Sequence, residues 1–367
     1  MKIPADLLAR PAQESVRRLA LGQLERATAA RQQLVEGDRE EALHDFRVAL
    51  RRLRSLLRSH RSAFAIAFPK KALRRLAALA RHTNPGRDAE VQLAWLLSFA
   101  AELRPTERPG HRALTRELAE RRDECYRQVE REIVRDFAGI AESLGARLVT
   151  YRVTVDLEHP EQPQSFAAAT REALAGGASE FLDKLAQIQT VADESSGHAA
   201  RIAAKRLRYL IEPVAPWIAA ASPPIELLKS LQDLLGELHD GQLLAAQVAQ
   251  ALGEIEAKRA QRLIADTLDG PHLLDGSGKA PQVAPPLRRR ERAGLIAIAK
   301  RLGARRSELF RSLAETWLGE SAAKRQELVA ALAELDLSLA APPRRPATRP
   351  RRATREARTP KAASHKR

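Results

Sequence analysis

The sequence has few of the residues from which several classes of protein build their functional sites. Aromatic residues make up only 4% of the 367 residues, and Cys125 is the single cysteine. One cysteine excludes an intramolecular disulfide and any metal site built on a cysteine pair. No stretch approaches the roughly 18 apolar residues that a membrane-spanning helix needs, and the N-terminal residues lack the apolar core of a signal peptide. We therefore expect a soluble cytoplasmic protein.

Alanine, leucine and charged residues dominate the chain instead. Hydrophobic residues account for 44% of it, which is enough to build a buried core. Alanine and leucine are strong helix formers, and the apolar residues recur with helical spacing along most of the chain, so we predict an all-α protein. The local patterns predict a break at 84–86, an extended connector or short strand at 147–157, separate helices at 224–251 and 254–268, and an exposed loop at 269–286.

The formal net charge is +16, and part of it is concentrated at the C-terminal end. Residues 341–367 contain ten lysines and arginines and one acid, which leaves a net charge of +7 for residues 1–340. Because the C-terminal segment is rich in proline and arginine, we expect it to be a disordered basic tail. Excess positive charge indicates an anionic partner, such as nucleic acid, a polyphosphate or a lipid surface.

A segment that begins at His44 recurs at His198. The two sequences, HDFRVALRRLRSLL and HAARIAAKRLRYLI, share the pattern H-x-x-R-x-x-x-[RK]-R-L-R. The segment GRDAEVQLAWLL, from Gly86, has a similar counterpart in LHDGQLLAAQV, from Leu238. Two elements in the same order at nearly equal spacing predict an internal duplication. The predicted parts are a first helical half at 1–145, a linker at 146–162, a second helical half at 163–340 and the tail at 341–367.

Each repeated segment places a row of basic residues on one helical face. Positions 44, 47, 51, 54 and 58 advance by three and four residues, which keeps them on the same side of a helix. Exposed helix faces normally mix acids with bases, because like charges four residues apart repel, yet neither row contains an acid. Arginine grips phosphate oxygens with a planar fork, so we interpret the rows as a surface for an extended polyanion. The rows are His44, Arg47, Arg51, Arg54 and Arg58, and His198, Arg201, Lys205 and Arg208.

The residues around these rows allow more than one interpretation. His44 and His198 could contact phosphate directly or could only support their helices. A metal site is not indicated, since each half supplies one histidine without a second ligand three or four residues later. Asp88 and Asp240 could indicate catalysis, but we interpret them as ion-pair or capping partners that hold basic side chains in place. No paired carboxylates or nucleophile–base pair indicate catalysis, so we predict no catalytic residue, metal or cofactor.

These motifs resemble the CHAD family, the conserved histidine α-helical domain. The resemblance rests on the two histidine segments and on LQDLLGELHD, and it covers most of residues 11–340. It implies two helical bundles related by a pseudo-twofold axis, with a basic groove between them that binds inorganic polyphosphate, in some members at polyphosphate granules. Many members follow an N-terminal triphosphatase domain that this sequence lacks, so the expectation is a non-catalytic protein.

The resemblance also implies which residues bind polyphosphate. Arg87 matches an Arg-Asp motif of the family in the first half, whereas His239 stands at the equivalent place in the second, so only Arg87 is included. The implied residues are His44, Arg47, Arg51, Arg52, Arg54, Arg58, Arg87, His198, Arg201, Lys205, Arg206 and Arg208.

Two other functions stay open at this point. A nucleic-acid-binding protein could use the basic tail together with the groove, although few aromatic residues are available for stacking and no known nucleic-acid-binding module is present. An enzyme of phosphate metabolism would need catalytic groups that the sequence does not offer.

Overall fold

The computed structural model describes residues 6–37, 40–67, 70–149, 163–268 and 287–341 of the chain. These residues form ten α-helices and no strand beyond an isolated bridge between Pro11 and Ser165, which confirms the all-α prediction. None of the described helices is both long and apolar enough to cross a membrane. The helices are α1 Ala12–Glu36, α2 Glu40–Ser59, α3 Lys70–His82, α4 Asn84–Ser98, α5 Arg108–Val149, α6 Phe166–Ala186, α7 Glu194–Ile211, α8 Ser222–Leu268, α9 Leu287–Trp317 and α10 Ala323–Ala340. Short 3-10 helices cover Arg61–Ala67, Ala100–Glu102 and Ala219–Ala221.

Two predicted helix breaks differ from the structure. α8 is one unbroken helix of 47 residues rather than two, because a single glycine such as Gly253 costs a helix only about 1 kcal/mol. α4 already begins at Asn84, and Pro85 lies in its first turn. Proline is tolerated there because the first backbone N–H groups of a helix have no intrahelical acceptor.

The predicted connector, the predicted loop and the predicted tail lie largely outside the described residues. α5 continues to Val149, so residues 147–149 are helical rather than extended. Residues 150–157 of the connector, the loop at 269–286 and residues 342–367 of the tail are not among the described residues.

One large hydrophobic core is shared by the two predicted halves. It contains residues from nine of the ten described helices, and only α4 contributes none. A smaller core joins α4 and α5 to α8 and α9. The helices pack in a repeated order, because α1 contacts α2 as α6 contacts α7, and α4 contacts α5 as α8 contacts α9. A duplication predicts such an order, and the duplication itself stays a prediction.

Buried His60, just after α2, contacts the second half of the chain. Its Nε2 atom lies 3.2 Å from the Thr170 hydroxyl on α6, and its Nδ1 atom lies 3.2 Å from the Leu56 carbonyl oxygen. Burial lowers the pKa of His60 to about 4, so the ring is neutral at pH 7. This neutral polar contact fixes the end of α2 against α6.

The α5 and α9 helices cross in direct backbone contact at Gly110 and Gly294. A Cβ atom on Gly110 would lie 2.1 Å from the Glu291 carbonyl oxygen, and one on Gly294 would lie 2.2 Å from the Glu107 carbonyl oxygen. Both distances are far shorter than a van der Waals contact, and a backbone carbonyl cannot rotate away as a flexible side chain can. The crossing therefore requires glycine on both helices.

We expect Gly294→Ala to lower the free energy of unfolding by about 1–3 kcal/mol, because the added methyl group forces α5 and α9 apart. Gly303→Ala on the same helix is the matched control, since its Cβ position has no atom within 4 Å. That change is expected to raise the free energy of unfolding by up to about 1 kcal/mol through helix propensity. Denaturant unfolding measures both, and two changes of the same sign would contradict the prediction.

Candidate anion-binding site

The α2 and α7 helices carry the two rows of basic residues, and the fold packs these helices against each other. The Arg51 guanidinium carbon on α2 lies 5.4 Å from the centroid of the Tyr209 ring on α7. Hydrophobic residues at helical spacing hold both helices in the core, so the intervening basic residues are directed away from it. The buried residues that fix the two faces are Phe46, Leu50, Leu53 and Leu57 on α2, and Ala200, Ala203, Ala204 and Leu207 on α7.

Six cations of these two helices have no carboxylate partner in the described part of the chain, and four of them lie where the helices meet. Arg47, Arg51, Arg201 and Lys205, which we call the central cluster, have no carboxylate oxygen within 4 Å among the residues that the structure describes. The Nε atom of Arg201 is buried and has no hydrogen-bond acceptor in the same part of the chain. A buried donor without an acceptor is costly, so part of the hydrogen-bonding capacity of Arg201 is unmet in the described residues.

Burial and mutual repulsion act on the central cluster. Burial, with the nearby charges of Arg201 and Arg51, lowers the pKa of Lys205 to about 8. Burial also lowers the pKa of Arg47, and the charges of Arg87 and Arg51 act in the same direction. Both shifts disfavour the charged form, and a bound anion would reverse them.

Asp88 on α4 and Asp240 on α8 lie near the central cluster without contacting it. Burial raises the pKa of each carboxyl group, while the charge of Arg201 acts to lower both. Neither carboxylate has a lysine or arginine nitrogen within 4 Å in the described ranges. The interpretation of the two acids as ion-pair partners is therefore wrong, because neither forms a contact ion pair with a lysine or arginine of the described residues. They act on the basic side chains only through the longer-range electrostatic field.

Four of the predicted site residues are ion-paired instead, and besides Arg87, which contacts Glu90, three of them lie on α2 and α7. Arg52 on α2 and Arg208 on α7 both contact Glu212, with their Nε atoms 3.2 Å and 3.4 Å from its carboxylate oxygens. Arg206 on α7 contacts Glu180 on α6 at 2.9 Å. Arg52, Arg206 and Arg208 link α2, α6 and α7 to one another, whereas the central cluster has no carboxylate partner in the described ranges.

The C-terminal end of the first row lies near α3. Burial lowers the pKa of Arg54, and the charges of Arg81 on α3 and of Arg58 act in the same direction. Neither Arg54 nor Arg58 has a carboxylate oxygen within 4 Å in the described part of the chain. The first row thus divides into Arg47 and Arg51, which belong to the central cluster, and Arg54 and Arg58, which lie towards α3.

A cavity of about 510 Å³ opens beside the central cluster in the first half. Arg87 donates a hydrogen bond of 2.6 Å to one Glu90 oxygen, and the Tyr126 hydroxyl donates to the other, which orients the guanidinium. A Cβ atom on Gly86 would lie 2.4 Å from the Tyr126 ring, so glycine lets α4 approach α5 here. The basic residues that line the cavity are His44, Arg47, Arg51, Arg87 and Arg122.

The second half is more closed at the equivalent place. His198 lies against His239, with 4.7 Å between the ring centroids, where the first half has Arg87. Burial, with the charge of Arg201, lowers the pKa of His239 to about 4, and the same two causes lower the pKa of His198. The cavity lined by these two histidines measures only about 20 Å³. The two halves therefore offer an anion different surroundings.

Sequence reasoning missed one repeated pair of arginines. The segment RRDECYR, from Arg121 on α5, aligns with RRSELFR, from Arg305 on α9. Arg122 lines the cavity of the first half, and its counterpart Arg306 contacts Glu194 at the start of α7 at 2.9 Å. The repeated segment itself could have revealed this pair. It lies at a different distance from the earlier repeats in each half, because the long α8 precedes it only in the second.

Comparisons with known proteins agree with this architecture. The family model of the CHAD domain matches residues 18–249, which is more than half of the chain. The structure is similar to the crystal structure of the CHAD domain from the plant Ricinus communis, with a TM-score of 0.57, 20% sequence identity, and coverage of 91% of this chain and 96% of that one. It is also similar to PptA from Streptomyces chartreusis, with a TM-score of 0.57, 15% identity, and coverage of 88% and 100%.

At these identities, the structural likeness shows the fold alone. No curated protein matches the sequence. The match of the family model, over a region that contains α2, α4 and α7 with their basic residues, shows that this chain belongs to the CHAD domain family.

Proposed function

We propose that this protein binds inorganic polyphosphate, without catalysis, through the basic faces of α2 and α7. The observation that carries the proposal is the central cluster, in which four cations have no carboxylate partner in the described residues and Arg201 has a buried nitrogen without an acceptor. Phosphate oxygens form strong, charge-assisted hydrogen bonds with such groups. The CHAD family is linked to polyphosphate binding in general, which supports the choice of ligand.

In this proposal, the ligand lies in a groove between the two helices. Arg47, Arg51 and Arg201 bind phosphate oxygens with their planar forks, and Lys205 contributes a point charge. Residues four apart on a helix are separated by about 6 Å along its axis, so successive cations meet successive parts of a flexible chain. The negative charge of the ligand offsets the repulsion within the cluster.

The other predicted site residues have secondary roles in the same proposal. Arg87, His44 and His198 lie at the edges of the cluster and contact outer phosphates. Three of the ion-paired arginines support the site by holding α2, α6 and α7 together, and they are Arg52, Arg206 and Arg208.

A titration with long-chain polyphosphate tests the proposal, with charge-matched RNA and DNA as competitors. We expect tighter binding to polyphosphate than to either nucleic acid, no release of phosphate, and an affinity that falls steeply with salt because counterions are released on binding. Equal or weaker binding to polyphosphate would contradict the proposal.

A deletion of residues 341–367 separates this proposal from the nucleic-acid alternative. We expect the shortened protein to keep its affinity for polyphosphate, because the central cluster is intact. Loss of binding with the tail would favour the nucleic-acid-binding function. The proposal also includes association with polyphosphate granules in the cytoplasm, which a fluorescent fusion tests in cells that do and do not make polyphosphate.

A further inference from the structure

Residues 46–87 contain twelve lysines and arginines and no aspartate or glutamate. The equivalent stretch of the second half, residues 200–239, contains five lysines and arginines and four acids. The two stretches therefore differ in net charge by eleven, with +12 in the first and +1 in the second. A ligand that needs only the paired rows of α2 and α7 does not explain this asymmetry.

Five of the twelve lysines and arginines in the first stretch lie beyond α2, on α3. This helix carries five lysines and arginines and no acid. Lys70, Arg74 and Arg81 are exposed and lie on the face opposite buried Leu76 and Leu79, since about 100° separates consecutive residues of a helix. From Lys70 to Arg81, this face extends about 16 Å along the helix axis.

The exposed face of α3 has no compensating negative charge. Lys70, Arg74 and Arg81 have no carboxylate oxygen within 4 Å among the described residues. The neighbouring flank of α3, which faces α5, is different, because His82 there contacts Glu132. Acids are thus placed on the flank that packs against α5 and are missing from the face that is open to a ligand.

Two arginines of α2 connect this face to the central cluster. Arg54 follows Arg51 by three residues on the same side of α2, and Arg58 follows one turn later. The helices α2 and α3 are in contact, and the charge of Arg81 acts on half-buried Arg54. Through Arg81 and Arg54, the exposed face of α3 therefore adjoins the basic row of α2 that leads to the central cluster.

We propose that a long polyphosphate chain leaves the central cluster past Arg54 and Arg58 and continues over Lys70, Arg74 and Arg81, which we call the α3 extension. This proposal rests on the function proposed above and adds a preference for long chains. A short chain occupies only the central cluster, whereas a long chain reaches the α3 extension as well. Since α3 contains no phenylalanine, tyrosine or tryptophan on which a base could stack, the extension suits polyphosphate better than single-stranded nucleic acid.

Two triple variants of the full-length protein test the α3 extension against tripolyphosphate and long-chain polyphosphate. The control variant removes the same charge from exposed arginines of α5 and α9 that also lack a carboxylate within 4 Å in the described ranges. Far-UV circular dichroism and thermal unfolding show that both are folded. The α3 variant is Lys70→Gln/Arg74→Gln/Arg81→Gln, and the control variant is Arg112→Gln/Arg116→Gln/Arg311→Gln.

The α3 variant is expected to bind long-chain polyphosphate about tenfold or more weakly at ~0.15 M salt, with a log–log salt slope that is shallower by about two, because three phosphate contacts are lost. Its affinity for tripolyphosphate stays unchanged. The control variant changes either affinity much less.

Three results would overturn the inference. The first is an equal loss of affinity for long-chain polyphosphate in the α3 and control variants. The second is an unchanged affinity of the α3 variant for the long chain. The third is a loss of affinity for tripolyphosphate in the α3 variant that matches its loss for the long chain. If the unmodified protein binds neither ligand, the proposed function fails and the extension fails with it. If the unmodified protein binds both and the α3 variant does so equally well, only the extension fails.

Discussion

Replacing Arg47 and Arg201 together with glutamate is expected to lower the affinity for long-chain polyphosphate at least a hundredfold. Each arginine contributes charge-assisted hydrogen bonds of about 1.5–3 kcal/mol, and about 1.4 kcal/mol corresponds to a factor of ten in affinity. Each glutamate also adds repulsion towards phosphate. The loss should be large because both arginines lack carboxylate partners among the described residues, so their charge is available to the ligand.

A matched control separates the effect of the site on affinity from the effect of the protein's net charge. The control replaces exposed Arg112 and Arg116 of α5 with glutamate, which changes the net charge by the same amount. We expect that variant to keep most of its affinity. A third variant, Arg47→Met with Arg201→Met, keeps much of the side-chain volume and tests the site if the glutamates disturb folding. Equal losses in the glutamate pair and its control would locate the binding elsewhere.

The helices and the basic rows could be predicted from the sequence because both follow from local spacing. A helical repeat of 3.6 residues is visible within a few turns, and the pattern at His44 is nearly the same as the pattern at His198. Local spacing does not predict which acid each arginine contacts. Arg52 and Arg206 occupy equivalent positions in the repeat, and their partners lie 160 and 26 residues away in the sequence.

The error at Asp88 and Asp240 and the missed contact between α5 and α9 have the same physical origin. The interpretation of Asp88 and Asp240 as ion-pair partners fails because the packing of α4 and α8 leaves both more than 4 Å from any lysine or arginine nitrogen in the described residues. The crossing of α5 and α9 brings together Gly110 and Gly294, which are 184 residues apart in the sequence. Such contacts depend on how helices dock, and local spacing patterns do not encode docking.

Polyphosphate binding at pH 8 is expected to be accompanied by proton uptake at Lys205. In the free protein, burial and the nearby charges of Arg201 and Arg51 lower the pKa of Lys205 to about 8, so about half of the molecules are neutral at this site at that pH. A polyanion offsets the repulsion and raises the pKa, which draws in a proton. Calorimetric titrations in two buffers of different ionisation enthalpy measure the uptake, and Lys205→Met should abolish it.

The lowered pKa of Lys205 also predicts a pH-dependent cost to folding. This pKa is lower in the folded protein than its ordinary value of 10.5, so between pH 8 and 10.5 the unfolded chain binds more protons. The free energy of unfolding therefore rises with pH across that window, and below pH 8 the full penalty remains. A tenfold change in a proton-binding constant corresponds to about 1.4 kcal/mol, so the penalty is about 3–4 kcal/mol at most.

Lys205→Met is therefore expected to raise the free energy of unfolding of the ligand-free protein at pH 7 by about 1–3 kcal/mol and to weaken polyphosphate binding. Methionine keeps much of the apolar stem and removes the buried charge. Denaturant unfolding at pH 7 and pH 10 measures the first effect, and the gain should shrink at the higher pH, where the lysine is already neutral. A variant that loses both stability and affinity would show that Lys205 supports the fold. A variant that gains stability while it loses affinity would show that the charge of Lys205 serves ligand binding and lowers the stability of the free protein.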